Sequence, residues 1–172
     1  MRKPIALVAL CLTLANAPPS IVSLTDKGTT KGAALPVLVS GRVEAARSVK
    51  TGYKRQWPGT YFETAFVGAK AFFKIGDGDV IVHVSLDGKY ITTLIKPTQG
   101  LYRVDTGNDR CHDLRIDIVS ESQGQPTLFG GFFGARGTRP VQLSSRRHQI
   151  EFIGDSFTVG YANTSTKQDC TQ

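Results

Sequence analysis

The chain has 172 residues, 40% of them hydrophobic and 20% charged, and its 21 Lys and Arg against 14 Asp and Glu give a formal net charge of +7. That excess is modest, and its densest part, Arg136, Arg139, Arg146 and Arg147, has little aromatic interleaving, so it reads as a solvated basic surface and no nucleic-acid partner is expected. No apolar run reaches the roughly 20 residues that span a bilayer, and there is neither a C-x-x-C nor a His/Cys cluster at ligand spacing, so no membrane span and no metal site are expected.

The N-terminus reads as a signal peptide over residues 1–17. Arg2 and Lys3 form a basic start, residues 4–14 are apolar, and Ala15-Asn16-Ala17 is an A-x-A cleavage signature followed by Pro18 and Pro19. Cys11 belongs to the apolar stretch, since Leu10 stands before it where a lipoprotein would have a small residue. A secreted or periplasmic protein is the expectation. Removal of residues 1–17 takes away two basic and no acidic side chains and leaves a net charge of +5. Of the three cysteines, Cys111 and Cys170 then remain. An oxidising compartment permits a bridge between them, but two free thiols, or a partner elsewhere for Cys170, fit the sequence equally well.

Residues 18–40 are small, polar and punctuated by Gly and Pro, and read as a leader or linker. From Gly41 the texture changes to short β-rich runs at the spacing of an antiparallel sandwich, which assigns residues 41–147 to one β-sandwich domain. The runs are 61–67, 71–75, 80–86, 90–95, 101–104, 114–120 and 127–133. Gly76-Asp77-Gly78-Asp79 and Asp87-Gly88 carry residues that tolerate positive φ, and Lys96-Pro97 ends a run where a ladder donor is lost. Val80, Val82, Val84 and Leu86 alternate with Ile81, His83 and Ser85, as Leu114, Ile116 and Ile118 do with Arg115, Asp117 and Val119. Such period-two patterns place one side of each strand in a core.

Near residue 148 the pattern changes again. Ile150, Phe152 and Ile153 form a run apolar on both faces, as in a parallel sheet covered by helices, and Gly154 permits a tight turn after it. Asp155 and Ser156 can then cap a helix start. A serine so placed has its hydroxyl at the carboxyl end of a strand and its own N–H near a helix N-terminus. Nucleophilic attack and oxyanion stabilisation both need that arrangement. Ser156 is therefore the candidate catalytic residue, and its backbone N–H the candidate oxyanion donor.

Two blocks carry a family resemblance. Ile150-Glu151-Phe152-Ile153 followed by Gly154-Asp155-Ser156-Phe157-Thr158-Val159-Gly160-Tyr161 resembles the first block of the SGNH, or GDSL, hydrolases, with Gly154, Asp155, Thr158 and Gly160 supporting the motif. Upstream, Trp57-Pro58-Gly59-Thr60-Tyr61-Phe62-Glu63-Thr64-Ala65-Phe66-Val67-Gly68, a run ending Asp87-Gly88, His112-Asp113-Leu114-Arg115-Ile116 and Phe129-Gly130-Gly131 resemble the N-terminal jelly-roll domain of carbohydrate esterase family two. The resemblance covers roughly residues 41–165. It implies a mainly β fold, an antiparallel jelly-roll sandwich, followed over 148–172 by the first strand and helix start of an incomplete α/β SGNH domain. It also implies a serine esterase that removes acetyl groups from plant-wall polysaccharides such as xylan and glucomannan, without a cofactor.

This sequence departs from that family after Ser156. The later glycine and asparagine oxyanion donors and the C-terminal histidine block have no counterpart here. His148 lies eight residues before the serine, at the far end of the leading run, and reads as structural. Asp155 has no imidazole to orient, so the chain as given is expected to be truncated and to have little or no hydrolytic activity. Residues after about 147 are expected to be poorly anchored, with Phe152 and Ile153 exposed or leaning on the sandwich. The alternative function is a non-catalytic carbohydrate-binding or domain-packing sandwich. Trp57 and Tyr61 are its candidate sugar contacts, although core or edge packing is the favoured role for Trp57. The expected partner is an acetylated plant-wall polysaccharide or oligosaccharide, and the expected state a monomer.

Overall fold

The computed structural model describes residues 17–24, 32–46, 52–76, 78–122, 125–143, 153–155 and 158. Among them the regular structure is all β and there is no helix. In chain order the strands are β1 Ser20–Leu24, β2 Ala34–Leu35, β3 Leu38–Ser40, β4 Glu44–Ala45, β5 Tyr53–Arg55, β6 Thr60–Val67, β7 Lys70–Ile75, β8 Ile81–Leu86, β9 Lys89–Ile95, β10 Gly100–Asp105, β11 Cys111–Ile118, β12 Thr127–Gly134 and β13 Arg139–Val141.

They form two antiparallel sheets. One runs β1-β10-β7-β12-β5-β4, with β2 also on β12, and the other runs β13-β6-β11-β8-β9, with β3 also on β6. The expected antiparallel sandwich of jelly-roll type is the fold observed, and each of the seven predicted runs falls on one of the strands β6 to β12. Alternation decides which side chains meet between the sheets. Val82, Val84 and Leu86 of β8 and Leu114, Ile116 and Ile118 of β11 are buried, while Ile81, His83, Ser85, Arg115 and Asp117 are only half-buried on the other face. Phe62 from one sheet stacks on Phe129 from the other, with centroids 4.0 Å apart and planes at 10°, and Phe132 meets Phe129 edge-on at 5.0 Å. These rings join the two layers at the centre of the core.

Two backbone features set the sheet geometry. Between Phe129 and Phe132 the β12–β7 register shifts, and Gly131 takes φ 95°, a left-handed value that lets the extra residue of a bulge be absorbed without a Cβ clash. At the β8–β9 hairpin, Asp87 and Gly88 have φ 53° and 71°, the two positive values of a type I′ turn whose twist matches its strands.

Residues 18–40 differ from the expected leader. Ser20–Leu24 pairs residue for residue with β10, from Ser20 opposite Asp105 to Leu24 opposite Leu101, while β2 and β3 add short pieces to β12 and β6. These short segments lie at sheet margins, held by the backbone ladder and by single apolar side chains, Ile21, Leu35 and Val39, in or against the core. In β1 none of the five side chains is fully buried, so a search for hydrophobic periodicity passes over it. Most of the predicted SGNH strand and helix start over 148–172 lies outside the described residues.

Candidate functional site

Of the predicted catalytic motif the structure describes Gly154, Asp155 and Thr158, whereas Ser156 and Gly160 lie outside the described residues. The Thr158 N–H donates to the Asp155 carbonyl at 3.1 Å. A Cβ built on Gly154 would collide with the Thr158 hydroxyl, so the glycine is required here by close approach. Ile153 is 91% exposed, in line with an apolar residue that finds no covering layer within the described part.

The two candidate sugar contacts are placed differently from each other. Tyr61 sits on the outer face of the six-stranded sheet, and the Arg115 guanidinium carbon lies 3.7 Å above its ring centroid. That ring face is occupied. Arg115 is anchored in turn: its Nε donates to both Asp117 carboxylate oxygens, at 2.8 and 3.0 Å, and its Nη1 lies 3.6 Å from Glu63. The Asp117 hydrogen bond, against partial burial and with help from the Asp117 and Glu63 charges, raises the Arg115 pKa above its ordinary value. The period-two pattern already puts Tyr61, Glu63, Arg115 and Asp117 on the outer face. What it lacks is the register, Tyr61 opposite Asp117 and Glu63 opposite Arg115, that joins them into one cluster.

Trp57 corrects the packing expectation. It is 59% exposed, at the bend where Pro58 and Gly59 lead into β6. The buried place beside it is filled by Arg55, whose Nη1 donates to the Ser120 carbonyl at 2.9 Å and to the Trp57 carbonyl at 3.4 Å. The Arg55 Nε and Nη2 are buried without a partner, and burial pushes the guanidinium pKa down to about 10. Arg55 remains charged at neutral pH. It shapes the loop that presents Trp57.

The histidines separate clearly. His83 lies on β8 with its ring edge-to-face against Tyr90 at 5.7 Å, and His148 lies outside the described residues. His112 is 4% exposed, with Nδ1 2.8 Å from Asp87 Oδ2 and Nε2 3.1 Å from Asn108 Oδ1. Asn108 Oδ1 also accepts the Arg110 N–H at 3.0 Å, which fixes it as an acceptor. A carboxylate that orients an imidazole is half of a hydrolytic triad. Here, however, both ring nitrogens are engaged, Nδ1 with Asp87 and Nε2 with Asn108, so neither is open to a serine hydroxyl. The pair is structural, and 25 residues of sequence separate its members, so no local signal marks it.

Cys111 is exposed at the start of β11, and its pairing with Cys170 falls outside the described residues. Among the described residues, no three His, Cys, Asp or Glu side chains are grouped to hold a metal ion, and no helix is long and apolar enough to cross a membrane.

Two antiparallel sheets with a packed aromatic centre define the class of the chain as a jelly-roll-like β-sandwich domain. Residues 39–143 match the model of the carbohydrate esterase 2 N-terminal family. The chain is 38% identical over 139 residues to an acetylxylan esterase / glucomannan deacetylase of Cellvibrio japonicus (strain Ueda107), an alignment covering 80% of this chain and 39% of that protein. Among solved structures, it matches a carbohydrate esterase whose active site displays divergent catalytic and non-catalytic binding functions, at TM-score 0.67 and 37% identity over 81% of this chain and 41% of that one. It also matches a family two carbohydrate esterase from Clostridium thermocellum in complex with cellohexaose, at TM-score 0.63 and 27% identity over 78% of this chain and 42% of that one. The chain belongs to carbohydrate esterase family 2, through the N-terminal domain of that family. It spans about two fifths of the length of these relatives.

Proposed function

We propose that this protein is an exported carbohydrate esterase that removes acetyl groups from plant-wall polysaccharide through the SGNH-type nucleophile Ser156. The observation that carries the proposal is the order of the chain. A family-matched sandwich over 39–143 is followed at once by Gly154-Asp155-Ser156, and the Cellvibrio japonicus relative acts as an acetylxylan esterase and glucomannan deacetylase. The Ser156 hydroxyl attacks the acetyl carbon, and the oxyanion is held in part by the Ser156 N–H. The carbon–oxygen bond to the sugar then breaks, the serine proton passes through a base to the sugar oxygen, and water hydrolyses the acetyl-serine to acetate.

Neither described histidine is set to be that base. His112 spends both ring nitrogens on Asp87 and Asn108, and His83 lies against Tyr90 on the sheet. The basic, apolar and A-x-A segments of residues 1–17 support export.

A chimera tests the nucleophile: this chain through Val159, continued by the corresponding remainder of the Cellvibrio japonicus relative, treated with an alkyl phosphonofluoridate. The adduct is expected on the tryptic peptide that begins at His148, at Ser156. A stable adduct at another hydroxyl, with the peptide that begins at His148 unmodified, would overturn the assignment.

A further inference from the structure

We infer that the groove at the β8–β9 hairpin is a second, non-catalytic carbohydrate site, and that it takes a short stretch of unacetylated, β-linked polysaccharide with Tyr90 as its stacking platform. The inference rests on the family reading for the class of sugar, and on the groove alone for its position. The groove has a volume of about 490 Å³, and Ala17, Pro19, Asp87, Lys89, Tyr90 and Asn108 are among the residues that line it, Ala17 being the last residue of the segment read as a signal peptide. That size falls within the range of small-molecule sites and leaves room for a short oligosaccharide.

Its chemistry fits a sugar better than an ion. A pyranose offers a C–H face and a rim of hydroxyls, so it needs an exposed flat ring beside fixed, planar polar groups. Tyr90 is 62% exposed, yet its hydroxyl is hydrogen-bonded to the Thr93 hydroxyl at 2.8 Å and its ring is braced against His83 at 5.7 Å. It is therefore ordered before any ligand arrives, which lowers the entropic cost of stacking. The Asp87 side chain is 47% exposed, while Oδ2 is tied to His112 at 2.8 Å and Oδ1 accepts the Asp113 N–H at 2.9 Å. Each oxygen keeps a further lone pair for a sugar hydroxyl. Asn108 is held through Oδ1 by His112 and the Arg110 N–H, bonds in which its amide NH2 takes no part. An anion would meet the Asp87 carboxylate and a cation would meet Lys89, so a neutral polyhydroxyl ligand suits this lining best. Tyr61, by contrast, already has Arg115 over its ring.

The test is calorimetric titration of the chain from Pro18 onward, without the signal segment, with cellohexaose, xylohexaose and mannohexaose, none of them acetylated. At least one should bind with Kd on the order of 0.1–1 mM. Tyr90→Ala should weaken that binding about tenfold or more, Tyr90→Phe should keep it within roughly threefold, and Lys54→Ala, exposed on β5 of the other sheet, should leave it unchanged. Amide shifts on titration should centre on residues 87–91 and 108, a readout that holds even if Tyr90→Ala disturbs folding. Three results would overturn the inference: no binding of any of the three sugars up to roughly 10 mM, a folded Tyr90→Ala protein that binds like the parent, or shifts centred on Trp57 and Tyr61. Because these ligands carry no ester, the outcome is independent of Ser156. A failed titration leaves the esterase reading standing, and absent acetate release leaves the groove standing.

Discussion

His112 and Asp87 lock β11 to the β8–β9 turn: a 2.8 Å contact joins Nδ1 to a carboxylate that also caps the Asp113 N–H at 2.9 Å. The ring is 4% exposed while Asp87 stands 47% exposed at the turn, so the pair draws a buried imidazole and a surface hairpin into one network with Asn108. Removing Asp87 leaves the buried His112 Nδ1 without a mate, and removing His112 leaves a cavity where its ring was buried. His112→Ala should cost about 2–4 kcal/mol in urea unfolding. The double variant with Asp87→Gly, which keeps the left-handed turn, should show a coupling of about 1 kcal/mol or more. Simple additivity would mean that the contact contributes nothing beyond each residue's own packing.

The aromatic centre makes a second prediction. Phe62 and Phe129 come from different sheets and stack at 4.0 Å, with 0% and 2% exposure respectively. Phe62→Ala should destabilise by about 3–5 kcal/mol, through the lost transfer energy and the cavity left behind. Adding Phe129→Ala should cost clearly less than a second such step, because the two rings share one contact. Full additivity in denaturant midpoints at constant slope would contradict the stacked arrangement.

Arg55 supplies a pH prediction with a definite sign. Its pKa in the fold is pushed well down from the ordinary guanidinium range to about 10 by burial, so folding disfavours the charged form, by about 3 kcal/mol at neutral pH. That penalty is present in full below pH 10 and is relieved as the pH rises beyond it towards the ordinary guanidinium range. Against it stand the bonds to Ser120 and Trp57, of which the 2.9 Å one to Ser120 is the stronger. Arg55→Met should therefore raise stability by about 1 kcal/mol at pH 7. The gain over the parent should shrink as pH climbs beyond 10. The fluorescence of Trp57, the sole tryptophan, should shift as its loop loses that anchor. A large loss of stability at pH 7 would mean that the carbonyl bonds outweigh the buried charge.

The strands β6 to β12 are legible in the sequence because each has one face in the core. Val82, Val84 and Leu86, or Leu114, Ile116 and Ile118, print their burial directly onto a period of two. The Asp87–Gly88 turn is legible for a related reason, since few residue pairs take two positive φ values at low cost. What the sequence does not display is anything set by the partner strand. β1 is held by backbone pairing with β10, Arg115 reaches Tyr61 through cross-strand register, and His112 meets Asp87 across 25 residues. Trp57 misleads because size and apolarity favour burial, whereas the loop it occupies gives the buried place to Arg55. At the catalytic motif, Gly154 shows its reason in the close approach of Thr158, while Ser156 rests on the sequence alone.

Acetate release from acetylated glucomannan and acetylated xylan tests the central claim most directly, measured on the chimera that joins this chain through Val159 to the remainder of its Cellvibrio japonicus relative. The account predicts turnover that falls by about a thousandfold or more with Ser156→Ala at unchanged thermal unfolding, and none above the spontaneous rate from the chain as given. Equal turnover with and without Ser156, or Ser156-dependent turnover by the chain as given, would contradict it.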